Sequence, residues 1–211
     1  MTEVTNGLFA AVAANPYAWP FDGTWSAADT ALLLLGFQQA PVATLDADAE
    51  LSVALRLLAA TSALGIATVA ARRGYGPEES PLAARRRLLG DPIPERGSAE
   101  WGFSARLRLP GDAIFVDPAG DNAFFSTGLE ETLRQRGIRN LLVTGLPTEG
   151  LVHATQRAAN DKGFECLAVS DACKGTSVAR HDAQLRITTF GNGLFGTVAT
   201  SAEIHSALKS L

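Results

Sequence analysis

Four apolar runs of strand length constrain this chain more than any other feature. They are TALLLLGF at 30–37, IATVAA at 66–71, NLLVTG at 140–145 and FECLAVSD at 164–171. None alternates apolar with polar residues, so each reads as a strand covered on both faces. DAIFVD at 112–117 is a fifth strand, and FGTVAT near the end is a short sixth. Between them lie segments with helical spacing: AELSVALRLLAATSAL at 49–64, closed by Gly65, then TGLEETLRQRG, TEGLVHATQRAANDKG, ARHDAQLRITTF and a final SAEIHSALKSL. Such alternation predicts an α/β fold, a three-layer α/β/α arrangement around a mainly parallel, Rossmann-like sheet.

The 211 residues suit one large domain, taken as 30–211. Residues 1–29, with PYAWPFDGTW, read as an irregular arm held by its aromatic rings. Residues 72–110 are rich in Arg, Gly and Pro, and their length suggests a lid, a substrate loop or an oligomer contact. The Arg85–Arg87 run inside them reads as a solvated or subunit-contact stretch.

Net charge is −4 and charged residues make up 19% of the chain, which argues against nucleic acid or an anionic membrane as the main partner. No apolar run approaches a membrane span, and MTEVTNGLFA lacks the basic and apolar regions of a secretion signal, so a cytoplasmic location is expected. The two cysteines, Cys166 and Cys173, form no framework or metal-type spacing, and no metal or cofactor is expected.

One turn carries more chemical information than the rest. TGLPTEGLVHAT, 144–155, runs from a buried strand into a helix, where many α/β enzymes mount a nucleophile. This turn offers Leu151 and Val152 where a Ser or Cys would stand.

The series TALLLLGFQQAPV, GDAIFVDPAGDNAFFSTGLEETLRQRGIRNLLVTGLPTEGLVHATQRAANDKGFECLAVSDAC, HDAQL and FGTVATSAEI resembles the isochorismatase-like cysteine hydrolase superfamily. RRGYGPEE, followed by GDPIPERGSAEW, is most similar to its biuret and ureide amidohydrolases. The resemblance spans about residue 15 to the C-terminus and implies the same three-layer fold. In that superfamily an Asp ends the first strand and activates a thiol, a Lys after the third strand assists by charge, and a Cys at a helix start attacks a carbonyl or amidine carbon. By the resemblance these places fall to Gly36, Pro118 and Leu151. Gln38 matches the first motif, while Ala40 replaces its second acid. No Lys occurs anywhere between residues 1 and 161, so a small shift of alignment does not recover one.

A covalent thiol mechanism without its thiol, acid and cation is not expected to run, since losing a nucleophile alone costs on the order of a millionfold in rate. The resemblance also implies a cis peptide between Leu146 and Pro147, a bond that proline tolerates better than other residues. Asp117 and Asp121 are the best remaining acids, though a solvated loop carboxylate is the blander reading of each. Glu149 reads as a first-turn carboxylate at a helix start, and His153 as a helix-face residue. Arg72, Arg73 and Tyr75 fall near the same sheet edge.

By analogy Gly36, Pro118 and Leu151 converge beside Phe37, Trp101, Phe124 and Phe125. Gln38 and the Leu146, Pro147 and Thr148 backbone would then be the polar anchors of a roomy apolar pocket, unless that pocket has been repacked shut. Two functions follow as expectations. One is an altered activity acting without a covalent intermediate on a small apolar or cyclic metabolite. The other is a non-catalytic relative that binds a ligand or co-assembles with an active paralogue. The resemblance implies a homo-oligomer, a dimer or tetramer.

Overall fold

The computed structural model describes residues 7–75, 81–90 and 93–210, the side chains of 81 and 82 excepted. The first residues of the arm and parts of the long segment, 76–80 and 91–92, therefore lie outside the described residues. Six strands form one sheet, β3 (Thr30–Leu35), β4 (Ala67–Ala71), β5 (Ile114–Val116), β6 (Asn140–Gly145), β7 (Glu165–Cys173) and β8 (Thr197–Ala199). Their order is β5-β4-β3-β6-β7-β8, and every pairing is parallel.

The residues of β3 explain why the sheet forms as it does. Thr30–Leu35 is flanked on both sides by strands and is buried throughout. Leu32 and Leu34 point to one face, joining Leu51, Ala54, Leu57 and Leu58 of α2 (Asp48–Ala63) and Ile204 of α8 (Ser201–Leu208). Ala31, Leu33 and Leu35 point to the other, joining Leu129 and Leu133 of α4 (Leu129–Gln135) and Ala159 of α5 (His153–Asp161). An unbroken apolar strand is what two covered faces require. Helix α2 stops at Gly65, whose φ of +77° suits a residue without Cβ. Helix α8 starts with a capping box in which the Thr200 N–H donates to Glu203 at 2.8 Å.

The structure departs from the sequence expectation in four places. The arm is not wholly irregular: β1 (Leu8–Phe9) pairs antiparallel with β2 (Trp25–Ser26). Its rings do anchor it, with Trp19 and Trp25 fully buried and the Phe9 and Trp25 centroids 4.5 Å apart. A short helix, α1 (Gln39–Thr44), follows β3 where none was expected, and α3 (Pro81–Leu88) sits inside the long 72–110 segment. Strand β7 runs past Asp171 to Cys173, because a register shift between Val143 and Gly145 lets Cys173 pair with Gly145. Between β7 and β8 lie α6 (Val178–Thr188) and the kinked turn α7 (Phe190–Gly193). None of the described helices is long and apolar enough to cross a membrane.

Candidate functional site

Strand order reverses between β3 and β6, the switch point where open parallel sheets present a crevice at their carboxyl ends. Gly36 leaves β3 there and Leu146 leaves β6. The crevice is drawn tight by backbone. The Leu146 N–H donates to the Leu35 carbonyl at 2.8 Å, and the Gly36 N–H donates to the Ala71 carbonyl at 2.9 Å. Gly36 takes a φ of +69°, and a Cβ placed on it would lie 2.4 Å from the Leu146 carbonyl oxygen and 3.3 Å from Leu151 Cδ2. Gly145 is tighter still, its Cβ position lying 2.1 Å from the Leu35 carbonyl oxygen. Both glycines are required by close approach rather than by turn flexibility alone.

The helix-starting turn Thr148–Val152 carries Leu151, which is fully buried in the core shared with Phe124, Leu129 and Val143. Leu146–Pro147 is cis. Three of the turn's five N–H groups are occupied locally. Thr148 donates to the Lys174 carbonyl at 2.9 Å, and Gly150 and Val152 both donate to the Pro147 carbonyl, at 3.1 and 3.4 Å. Glu149 accepts from the Thr176 N–H at 2.9 Å and from its hydroxyl, tying the turn to the β7–α6 loop. Thr148 Oγ1 hydrogen-bonds His181 Nδ1 at 2.8 Å.

On the β4–β5 side the site is charged. Arg72 holds Asp117 through two hydrogen bonds of 2.9 Å, and its guanidinium lies 3.7 Å over the Trp101 ring. Asp121 is gripped by Arg73 and by Arg86 of α3. Arg96 Nη2 donates to the Asp117 and Pro118 carbonyls at 2.9 and 2.7 Å, so a guanidinium stands against the backbone of the position that the resemblance gives to Lys. Gln38 is saturated: its Nε2 donates to the Arg73 and Trp101 carbonyls, both at 2.9 Å, and its Oε1 accepts from the Arg73 N–H at 3.0 Å.

The residues expected to ring one pocket are thus divided. Phe37 and Leu146 belong to the core on one face of the sheet, while Phe124 and Leu151 belong to the other. Phe125 is exposed, Pro118 is buried, and Trp101 lies under Arg72. Gly36 and Leu151 do come together, closely enough that a Cβ on the glycine would lie 3.3 Å from Leu151 Cδ2. Asp117 and Asp121 are ion-paired rather than freely solvated. Arg96 escaped sequence reasoning altogether, since it lies in an irregular stretch with no periodic signal.

Neither thiol stands at the turn's display position, which Leu151 holds. Both cysteines are buried and free, Cys166 within β7 and Cys173 at its end. Burial pushes the Cys173 thiol up to about 12 and raises that of Cys166 further. His153 is half-buried edge-on to Phe195, and burial, helped by the nearby Arg157, lowers its pKa to about 4. Among the described residues no group of three or more His, Cys, Asp or Glu is placed to hold a metal ion.

A parallel six-stranded sheet ordered around a switch point, with a strand–turn–helix beside it, defines a doubly wound α/β protein. The isochorismatase domain matches residues 30–203, and the chain belongs to that family. It is 27% identical over 167 residues to the isochorismatase family protein YecD of Escherichia coli O157:H7, covering 78% of this chain and 85% of that one. It is 28% identical over 174 residues to the ureidoacrylate amidohydrolase RutB of Methylorubrum extorquens, covering 74% and 68%. A cysteine hydrolase crystal structure from Pseudomonas syringae pv. phaseolicola superposes with a TM-score of 0.77 at 22% identity, over 88% of this chain and 95% of that one. That last likeness concerns the fold alone.

Proposed function

We propose that this chain is a non-hydrolysing member of the isochorismatase family, a protein that binds a small molecule without attacking it. The single observation that carries the reading is the closeness of Leu151 to Gly36, which with the Leu146 carbonyl oxygen leaves no room for even a Cβ on the glycine. Gly36 has no side chain to take a proton, and the buried Leu151 has no lone pair to attack with. The remaining features support it. Both thiols are buried with raised pKa values, and three N–H groups of the turn are engaged with carbonyls. The alternative reading, an altered activity on an apolar or cyclic metabolite using Asp117 or Asp121 as the acid, has less support. Arginines neutralise both carboxylates.

Purified protein incubated with ureidoacrylate, biuret and nicotinamide tests the reading by ammonia release. No turnover above the uncatalysed rate is expected. Turnover at the rate of an ordinary amidohydrolase, or trapping of a covalent acyl-enzyme by mass spectrometry, overturns it.

A further inference from the structure

A cavity lies one strand away from the switch point, at the carboxyl end of β7. Its volume is about 520 Å³, and Glu50, Asp171, Lys174, Thr176 and His181 are among the residues that line it. That is the edge at which parallel sheets open their binding crevices, and the size lies within the range of small-molecule sites.

The polar groups here are incompletely used, and in a complementary way. Lys174 Nζ donates to the Asp46 carbonyl at 2.6 Å and stands 3.6 Å from Glu50 Oε2. At that separation the two charges attract without a hydrogen bond, and Glu50 Oε2 is buried with no hydrogen-bond partner. An ammonium has three donors, so Lys174 keeps donating capacity beside an acceptor that lacks a donor. His181 has Nδ1 committed to Thr148, and Nε2 has no partner among the described residues. Asp171, in contrast, is spent: it accepts from the Ser201 N–H at 2.7 Å and from its hydroxyl at 2.6 Å.

We propose that this cavity binds a small zwitterion, with its ammonium against Glu50 and its carboxylate against Lys174. A simple anion would meet Glu50 and Asp171, and a simple cation would meet Lys174. Only a molecule carrying both poles gains at both. The site is distinct from the Gly36–Leu151 pair and does not depend on how that pair is read.

Isothermal titration calorimetry with L-alanine as the probe, and with propionate and ethylamine as single-pole controls, tests the proposal. Saturable L-alanine binding is expected, with each control at least about tenfold weaker. Lys174→Met and Glu50→Gln are each expected to weaken L-alanine binding by about tenfold or more, and Lys174→Arg to retain it. Should a variant fail to fold, the His181 ring resonances of the unaltered chain give the answer, because bound L-alanine shifts them. Three results overturn the proposal: no saturable binding with unmoved His181 resonances, binding indifferent to both substitutions, or a single-pole control binding as tightly as L-alanine. No hydrolysis enters this test, so its failure leaves the non-hydrolysing reading standing, and the reverse also holds.

Discussion

Gly36 lies directly against the carbonyl oxygen of Leu146, closely enough that a Cβ on the glycine would come within 2.4 Å of it. The relationship is between backbones, so a side chain at this position requires β3 and β6 to part at their ends. Gly36→Asp is therefore expected to destabilise the protein rather than restore an acid. The left-handed φ alone costs about 1–3 kcal/mol for a residue with a Cβ, before the clash is counted. Chemical denaturation should show the midpoint fall with little change in slope. A G36D variant as stable as the parent would mean that the two strand ends part freely.

Leu151 should behave as a core residue. Leu151→Ala is expected to cost about 2–5 kcal/mol, the range for opening a cavity in a packed interior. Leu151→Cys should cost less and gain no amidase activity, since neither an acid nor a Lys stands beside it. Thermal unfolding and the ammonia assay check the two halves of this statement.

Both cysteines should resist alkylation in the folded protein. With Cys173 pushed up to about 12 and Cys166 also raised by burial, almost no thiolate exists at neutral pH, and neither sulfur faces solvent. Iodoacetamide should label neither residue natively and both in denaturant, as read by mass spectrometry. Rapid native labelling at either would contradict the burial.

Asp121 joins Arg73 to Arg86 and so holds α3 over the sheet edge. Asp121→Asn should loosen that helix at a cost of about 1–3 kcal/mol, the range for losing hydrogen bonds to a charged group. Amide exchange in 83–90 should accelerate while that of β3 and β6 stays unchanged.

His153 sets a dependence on pH. Its folded pKa is about 4 against an ordinary value of 6.5, so folding favours the neutral ring. Between these values the unfolded chain binds more protons. The contribution is complete above about pH 6.5 and is lost as pH falls towards about 4. His153→Phe keeps a ring against Phe195 and removes the titration. Its Tm should fall less than the parent's between about pH 7 and pH 5.

The fold was legible because its strongest signals are local. TALLLL is an unbroken apolar run of strand length, and the helical spacing from 49 to 64 ends at a glycine that the structure places in the left-handed region. The site was legible only as positions. Residue types at 36, 118 and 151 say what chemistry is missing, but not whether the space they leave is open. That depends on how near Leu146 comes to Gly36, a distance between backbones far apart in sequence. Long-range ion pairs were equally hidden. Asp117 and Asp121 read as solvated acids until the topology brought Arg72, Arg73 and Arg86 to them. Lys174 and Glu50 carry no motif at all, since their pairing exists only where the end of β7 passes the first turn of α2.

The amide of Gln38 has a consequence for how this scaffold can vary. It clamps Arg73 and Trp101, the two places where the chain departs from and returns to the sheet edge, onto the end of one strand. The intervening stretch is thereby a module with fixed attachment points. A loop graft between these points would keep both ends seated but would have to replace the ties that Arg86 and Arg96 make to the 117–121 segment.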